Sequence, residues 1–533
     1  MKKKWYVSML ALVLAISLAL VGCGKSSEET GTKDSGGSAG GSGDKETTLI
    51  FGRGGDAVSL DPATATDGES FKVTQNIFDT LISFGEQSTD LEPGLATEWN
   101  ASEDGLTYTL KLREGVKFHD GTDFNAEAVV ANFKRWQSGD KEQYYYYNSQ
   151  FGDIITEVKA EDPTTVVFTL SRPLAPFFKN LAMSPFAISS PAAFEQHGDK
   201  YNENPVGTGP FKFKEWKRND RITIEKNAEY WMEGEPKLEQ VIFTVIPENS
   251  ARLNALQTGE VDLIDGVNFS DVPSIDGNDS LQTFFRPSLN IAYLGLTSTR
   301  GPLKDKLVRQ ALNHAVDKQA LLDAFYAGEG TPAKNPMPEV VEGYNAAIED
   351  YPFDLEKAKA LLAEAGYADG FEMELWAMPV ARPYMPDGQK VAEALQANFE
   401  KIGVKAKIVT YEWATYLDKA RAGEADSFLL GWTGDNGDAD NFLYVLLDKD
   451  SIGSNNYSYY SNDEVHNLLI EAQSTVDQAK RNELYARAQE IIKDDAPWIP
   501  LVHSTPALAG KANLKGFKPH PTGSDKLTGV EFE

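Results

Sequence analysis

The spacing of apolar positions divides the chain into short strands and amphipathic helices. Residues 107–112, TYTLKL, alternate with period two, as do residues 164–170, TTVVFTL, which Pro173 closes. Residues 48–51 predict an opening strand broken by Gly52, Gly54 and Gly55; residues 241–245 and 283–285 predict shorter ones. A helical stretch, 126–136, lies among them. Further along, the period lengthens to that of a helix. Residues 305–327 place Leu307, Val308, Ala311, Leu312, Ala315 and Val316 on one face, with Gly328 as the stop. Residues 355–365, 388–402 and 414–422 predict helices ended by Gly366, Gly403 and Gly423. Residues 404–409 predict a strand and 427–432 a buried one, and helices over 463–473 and 477–493 follow. The pattern is that of a mixed α and β first half and an alternating α/β second half, without a tandem repeat.

The first residues break this pattern. Lys2, Lys3 and Lys4 precede an uncharged apolar run from Trp5 to Val21, and Leu20-Val21-Gly22-Cys23 follows. A positive start, a short apolar run and small residues before a cut site read as a secretory signal. The run is at the lower limit for a spanning helix. Its last four residues resemble a bacterial lipobox, which implies cleavage after residue 22 and lipid on Cys23; the alternative is a plain membrane anchor. Residues 24–45, rich in Gly and Ser, cannot bury apolar surface and read as a flexible tether. The tether contains a formal G-x-S-x-G at Gly36 to Gly40, with neither the strand nor the helix that a nucleophile elbow needs.

Composition narrows the chemistry. The chain has 533 residues, enough for about three lobes. With 80 acidic and 51 basic residues its net charge is −29, which argues against nucleic acid or an electrostatic grip on anionic lipid. Cys23 is the single cysteine, so neither an internal disulfide nor a CxxC motif is possible. The six histidines are scattered with no ligand-spaced pair, so local sequence indicates no metal and no cofactor, although ligands converging from distant segments stay open.

Several stretches resemble the family-5 solute-binding proteins that serve ABC importers for peptides, nickel and related cargo. They are Ala96-Thr97-Glu98-Trp99, Ser102 to Gly105, the run from Thr107 to Val130, Asn204 to Phe211 and Leu303 to Leu312. Leu375 to Tyr384, Lys407 to Trp413, Gly431 to Asp438 with Asp440-Asn441-Phe442, Ala496-Pro497 and His503-Ser504-Thr505 are similar to the dipeptide-binding members in particular. The resemblance implies an α/β, periplasmic-binding-protein-like bilobal fold (class II, cluster C) with an extra inserted subdomain. Its implied divisions are a signal peptide, 1–22; lipidated Cys23 and tether, 23–45; lobe I, 46–285 plus 506–533, with an insertion near 80–205 that has no obvious ligand contact; and lobe II, 286–505.

By motif position, the resemblance assigns Arg382 to a ligand carboxylate and Asp435 to an ammonium. Tyr384 and Trp432 wall the pocket, Gly434 opens the Asp435 turn, and Gly54 and Gly55, with Asp56, supply backbone bonds. These types suit a free dipeptide, whose end charges lie about 5–6 Å apart. A guanidinium fork takes both carboxylate oxygens, and a tripeptide would strand one charge in a desolvated cleft. Bland readings stand beside these: a surface arginine, solvated aspartates, or Asp438 and Asp440 as caps. Calcium fails on register, because Gly437 and Ala439 occupy the third and fifth positions from Asp435.

The expected function is capture and delivery without covalent chemistry, and so not an enzyme. A lipid-anchored monomer at the outer face of the cytoplasmic membrane would close on a dipeptide and dock on permease subunits. No GxxxxGK(S/T) occurs, so separate subunits would hydrolyse ATP. Rival readings are the same fold carrying oligopeptide, glutathione, haem or a nickel complex, and a secreted hydrolase.

Overall fold

The computed structural model describes residues 47–533; the leader, Cys23 and the whole tether lie outside the described residues. Three sheets organise the fold. A seven-stranded sheet runs in the order Leu281–Phe285, Ala507–Lys511, Leu263–Ile264, Thr48–Arg53, Gln240–Val245, Arg221–Lys226, Phe211–Lys217. A six-stranded sheet runs Gly330–Pro332, Trp498–Ser504, Asn290–Leu296, Ser427–Thr433, Phe371–Trp376, Val404–Val409. A four-stranded antiparallel sheet, from Ala96–Ala101 to Ile155–Asp162, lies within the first half.

Each sheet has its own apolar core, so the molecule is bilobal with an insertion. In the six-stranded sheet, Asn290–Leu296 and Trp498–Ser504 are buried throughout and pair antiparallel. Tyr293 stacks on Trp498 with centroids 3.6 Å apart, a large desolvated aromatic pair. The chain crosses between the two large sheets twice, at 286–289 and 505–506. These crossings are adjacent, since Arg286 N donates to Pro506 O at 2.9 Å. The Arg286 guanidinium is anchored to the buried Asp525 carboxylate at 2.6 and 2.8 Å.

Local elements largely follow the sequence pattern. The strand Thr107–Leu112 and the helices Leu355–Glu364 and Asp463–Ser474 form where the spacing places them. The stretch 305–327 differs, forming two helices, Lys306–His314 and Lys318–Tyr326. Asp317 breaks it by accepting from the Ala320 amide, an N-cap that starts a new helix with the same apolar face continued beyond it. Ala327, left-handed at φ 50°, ends the second helix just before Gly328.

Candidate functional site

The site is built where the central strand Ser427–Thr433 leaves the six-stranded sheet. Gly434 donates its amide to Leu289 O at 2.7 Å and packs against Phe442, which turns the chain out toward Asp435. The Asp435 amide donates to Asn441 Oδ1 (3.0 Å), and Asn441 Nδ2 returns a bond to Asp435 Oδ2 (3.1 Å). The Trp432 indole also donates to Asn441 Oδ1, at 3.0 Å. Trp432 thus fixes the amide that aims Asp435. Sequence reasoning missed Asn441, although it stood inside a quoted motif.

Asp435 lines a cavity of about 50 Å³ with Phe71, Tyr146, Met183, His520 and Lys526 among its walls. Burial raises its carboxyl to about 6, while the bonds from Asn441 and Tyr146 act in the opposite sense. Among the described residues no lysine, arginine or histidine lies within ion-pair distance of it. Its nearest other partner is the Tyr146 hydroxyl, 3.5 Å from Oδ1. Tyr146 sits edge-on to Phe71, with centroids 5.8 Å apart, and belongs to the inserted segment. The segment 80–205, expected from sequence to have no obvious ligand contact, therefore reaches Asp435 through Tyr146. The run Tyr144 to Tyr147 was the signal for it: four aromatics in a row exceed what one buried face uses.

The rest of the turn is pinned. Asn436 Nδ2 donates to Asn180 Oδ1 (2.8 Å), and Lys179 Nζ donates to Gly437 O (3.1 Å). Gly437 has φ +65°, and an added Cβ would lie 1.9 Å from Thr89 Oγ1, so both conformation and space require glycine. Asp438 is buried and paired bidentately with Arg481 at 2.7 Å on both arms, and it caps the turn by accepting from the Asp440 amide. Burial, with the nearby Asp438 charge, lifts Asp440 to about 7; the Gln473 amide donates to it.

Arg382 lies on the exposed loop after Phe371–Trp376 and is not part of the cavity wall. Its guanidinium carbon is 5.2 Å from the Trp413 ring centroid, and no carboxylate among the described residues is within 4 Å. Buried Tyr384 links the two regions. Burial pushes its phenol up to about 12, with the Arg382 guanidinium beside it working the other way. Its ring lies so close to Gly431 that a Cβ there would be 2.2 Å away. Arg382 and Tyr384 thus stand together, as do Trp432, Gly434 and Asp435. Gly54 and Gly55 lie elsewhere, against Arg252 and Glu69. Asp56 is occupied by the Trp216 indole and the Asn219 amide and serves the loop itself.

Residues 90–454 match the family model for bacterial extracellular solute-binding proteins, family 5, middle region. The chain belongs to this family. It is 38% identical to the dipeptide-binding protein of Escherichia coli K12 over 91% of this chain and 95% of that one. It is 36% identical to heme-binding protein A of Haemophilus influenzae over 98% and 97%. Among solved structures it resembles the periplasmic binding protein DppA of Helicobacter pylori in complex with the peptide STSA. That match has TM-score 0.80 and 36% identity over 92% of this chain and 98% of that one. The family consists of substrate-binding proteins, and the bilobal α/β architecture with its insertion is theirs. Among the described residues no helix is long and apolar enough to cross a membrane.

Proposed function

We propose that this protein captures dipeptides as zwitterions between its lobes and delivers them to the permease of an ABC importer. The observation that carries the reading is Asp435, a desolvated carboxylate without a cation partner among the described residues, facing a cavity. A ligand ammonium supplies the missing charge. Arg382, a guanidinium without a carboxylate partner among the described residues, takes the other terminus, with Tyr384 beside it. The dipeptide-binding relative supports this choice of cargo. The cavity holds about four waters, less than a dipeptide needs, so ligand enters with the lobes apart. The adjacent crossings at 286–289 and 505–506 act as the hinge. Lobe I then comprises 46–285 plus 506–533 with the insertion at 80–205, and lobe II comprises 286–505. Trp432 and Tyr384 shape the walls. The protein works as a monomer without chemistry of its own, held at the outer membrane face by lipid on Cys23, while separate subunits hydrolyse ATP.

Isothermal titration with a dipeptide, its N-acetylated and C-amidated forms, and a tetrapeptide tests this. Both blocked forms lose binding if the termini are clasped. The tetrapeptide arm tests length, because the Helicobacter pylori relative holds the peptide STSA. Equal affinity for all four ligands would replace the zwitterion clasp by backbone recognition.

A further inference from the structure

We propose that Asp448, Asp450 and His466 form a binding site for a first-row divalent transition cation, separate from the peptide cleft. Asp448 is the C-cap of the helix Asp440–Leu447, Asp450 lies in the following turn Lys449–Ser451, and His466 projects from the helix Asp463–Ser474. His466 Nδ1 is 3.1 Å from both Asp448 oxygens and 3.9 Å from Asp450 Oδ2. One ligand atom from each of the three residues lies within 4.8 Å of the others. Ligands about 2.0–2.2 Å from a zinc ion stand roughly 3–3.5 Å apart. His466 and Asp448 already stand at that spacing, and Asp450 has to close by up to about 1.3 Å.

Two further observations call for a cation here. The Asp448 side chain is 0% exposed, and among the described residues its only ion-pair partner within 4 Å is a histidine, whose charge is optional. Lys449, the nearest permanent cation in sequence, spends its hydrogen bond on Asp463 at 2.5 Å and acts on Asp448 and Asp450 only through space. Asp448 Oδ1 also accepts the Asp450 amide (2.8 Å), which leaves Oδ2 with the imidazole alone. In addition, both carboxylates sit at the C-terminal end of a helix, where the unpaired carbonyls already concentrate negative charge. A divalent cation offsets both costs.

One imidazole with two carboxylates suits zinc and its neighbours better than calcium, which takes six to eight oxygens. Asp450 is 51% exposed and His466 18%, so water completes the shell. The ion would tie the turn after Leu447 to the next helix. The helix Asp440–Leu447 is about 12 Å long, and Asp435 precedes its other end, so the ion is a brace for the lobe and not cargo.

The test uses untagged full-length protein, stripped with chelator and dialysed against Zn²⁺. Bound zinc is read by elemental analysis, and affinity by competition with a chromophoric chelator. The expected result is one zinc per chain. Affinity falls by more than about tenfold, the loss seen for second-shell changes alone, in both Asp450→Asn and His466→Ala and is unchanged in Glu356→Gln. Asp450→Asn alters an exposed, isosteric position and stays informative if His466→Ala fails to fold. Absence of stoichiometric zinc, or equal zinc binding in Asp450→Asn, would overturn the site. Neither result bears on peptide capture.

Discussion

Asp435→Asn is expected to move binding and stability in opposite directions. The substitution preserves shape and leaves Asn441 and Tyr146 in place but removes the charge. Burial raises the carboxyl from 3.8 to about 6. At roughly 1.4 kcal/mol per unit, discounted for a half-buried group, the ionised form costs the ligand-free protein about 1–2 kcal/mol. For an acid raised on folding, this cost is fully present above pH 6 and fades as pH falls from about 6 to 4. At pH 7.5 the Asn variant therefore melts higher than the parent, and at pH 4 the two converge. Binding goes the other way. An ammonium left opposite a neutral amide loses about 2–5 kcal/mol, or roughly 30- to several thousand-fold in Kd. Isothermal titration with one dipeptide from pH 5 to 7 isolates the effect, since the ligand's own termini do not titrate there. The parent weakens about tenfold per pH unit below pH 6 and is flat above it; the variant is flat throughout. An Asn variant that binds within threefold of the parent, or that keeps the parent's slope, removes Asp435 from the ammonium site.

Arg382→Lys keeps the charge and loses the fork, so dipeptide affinity falls about tenfold by titration while the melting temperature of this exposed position holds. Arg481→Met leaves Asp438 buried without its cation and costs about 3–5 kcal/mol in urea unfolding at pH 7. Because Arg481 holds Asp438 below the usual carboxylate range, that cost shrinks as pH drops below about 4. Gly437→Ala drives a Cβ into Thr89 and weakens dipeptide binding by displacing the turn. Thr89→Gly in the same chain recovers part of the loss, and the remainder reflects the left-handed backbone, worth about 1–2 kcal/mol.

Strands and helices with one wet face were legible because period alone reports them. The strand at 427–432 was readable even when buried, since Gly423 and Gly434 bracket it. The strands Asn290–Leu296 and Trp498–Ser504 were not, because a strand buried on both faces has no alternation to read. The split at Asp317 was hidden for a different reason. Its apolar face continues in register through a polar cap, so periodicity reads through a break that only the Asp317 bond to the Ala320 amide creates. Family resemblance pointed to Asp435 and Arg382 but was silent on Tyr146 and Asn180. Those two meet the Asp435 loop from 289 and 256 residues away, and no local spacing encodes those contacts.

The three aspartates of one short turn show why residue type alone could not assign the site. Asp435, Asp438 and Asp440 share a loop, a low-dielectric setting and a net-acidic chain, yet their electrostatic situations differ. Asp438 is neutralised by Arg481 and held ionised. Asp440 lies beside that pair, receives the Gln473 amide, and is lifted to about 7 by burial and the Asp438 charge. Among the described residues Asp435 has neither a cation nor an adjacent carboxylate, only amide and phenol donors. A protein that buries a charge without neutralising it loses stability unless a partner arrives from outside. Of the three, Asp435 alone has no charged neighbour among the described residues, and the proposed ammonium contact rests on that. The same reasoning separates Arg382, unpaired at the exposed loop, from Arg286 and Arg481, which each hold a buried carboxylate and are needed for the fold.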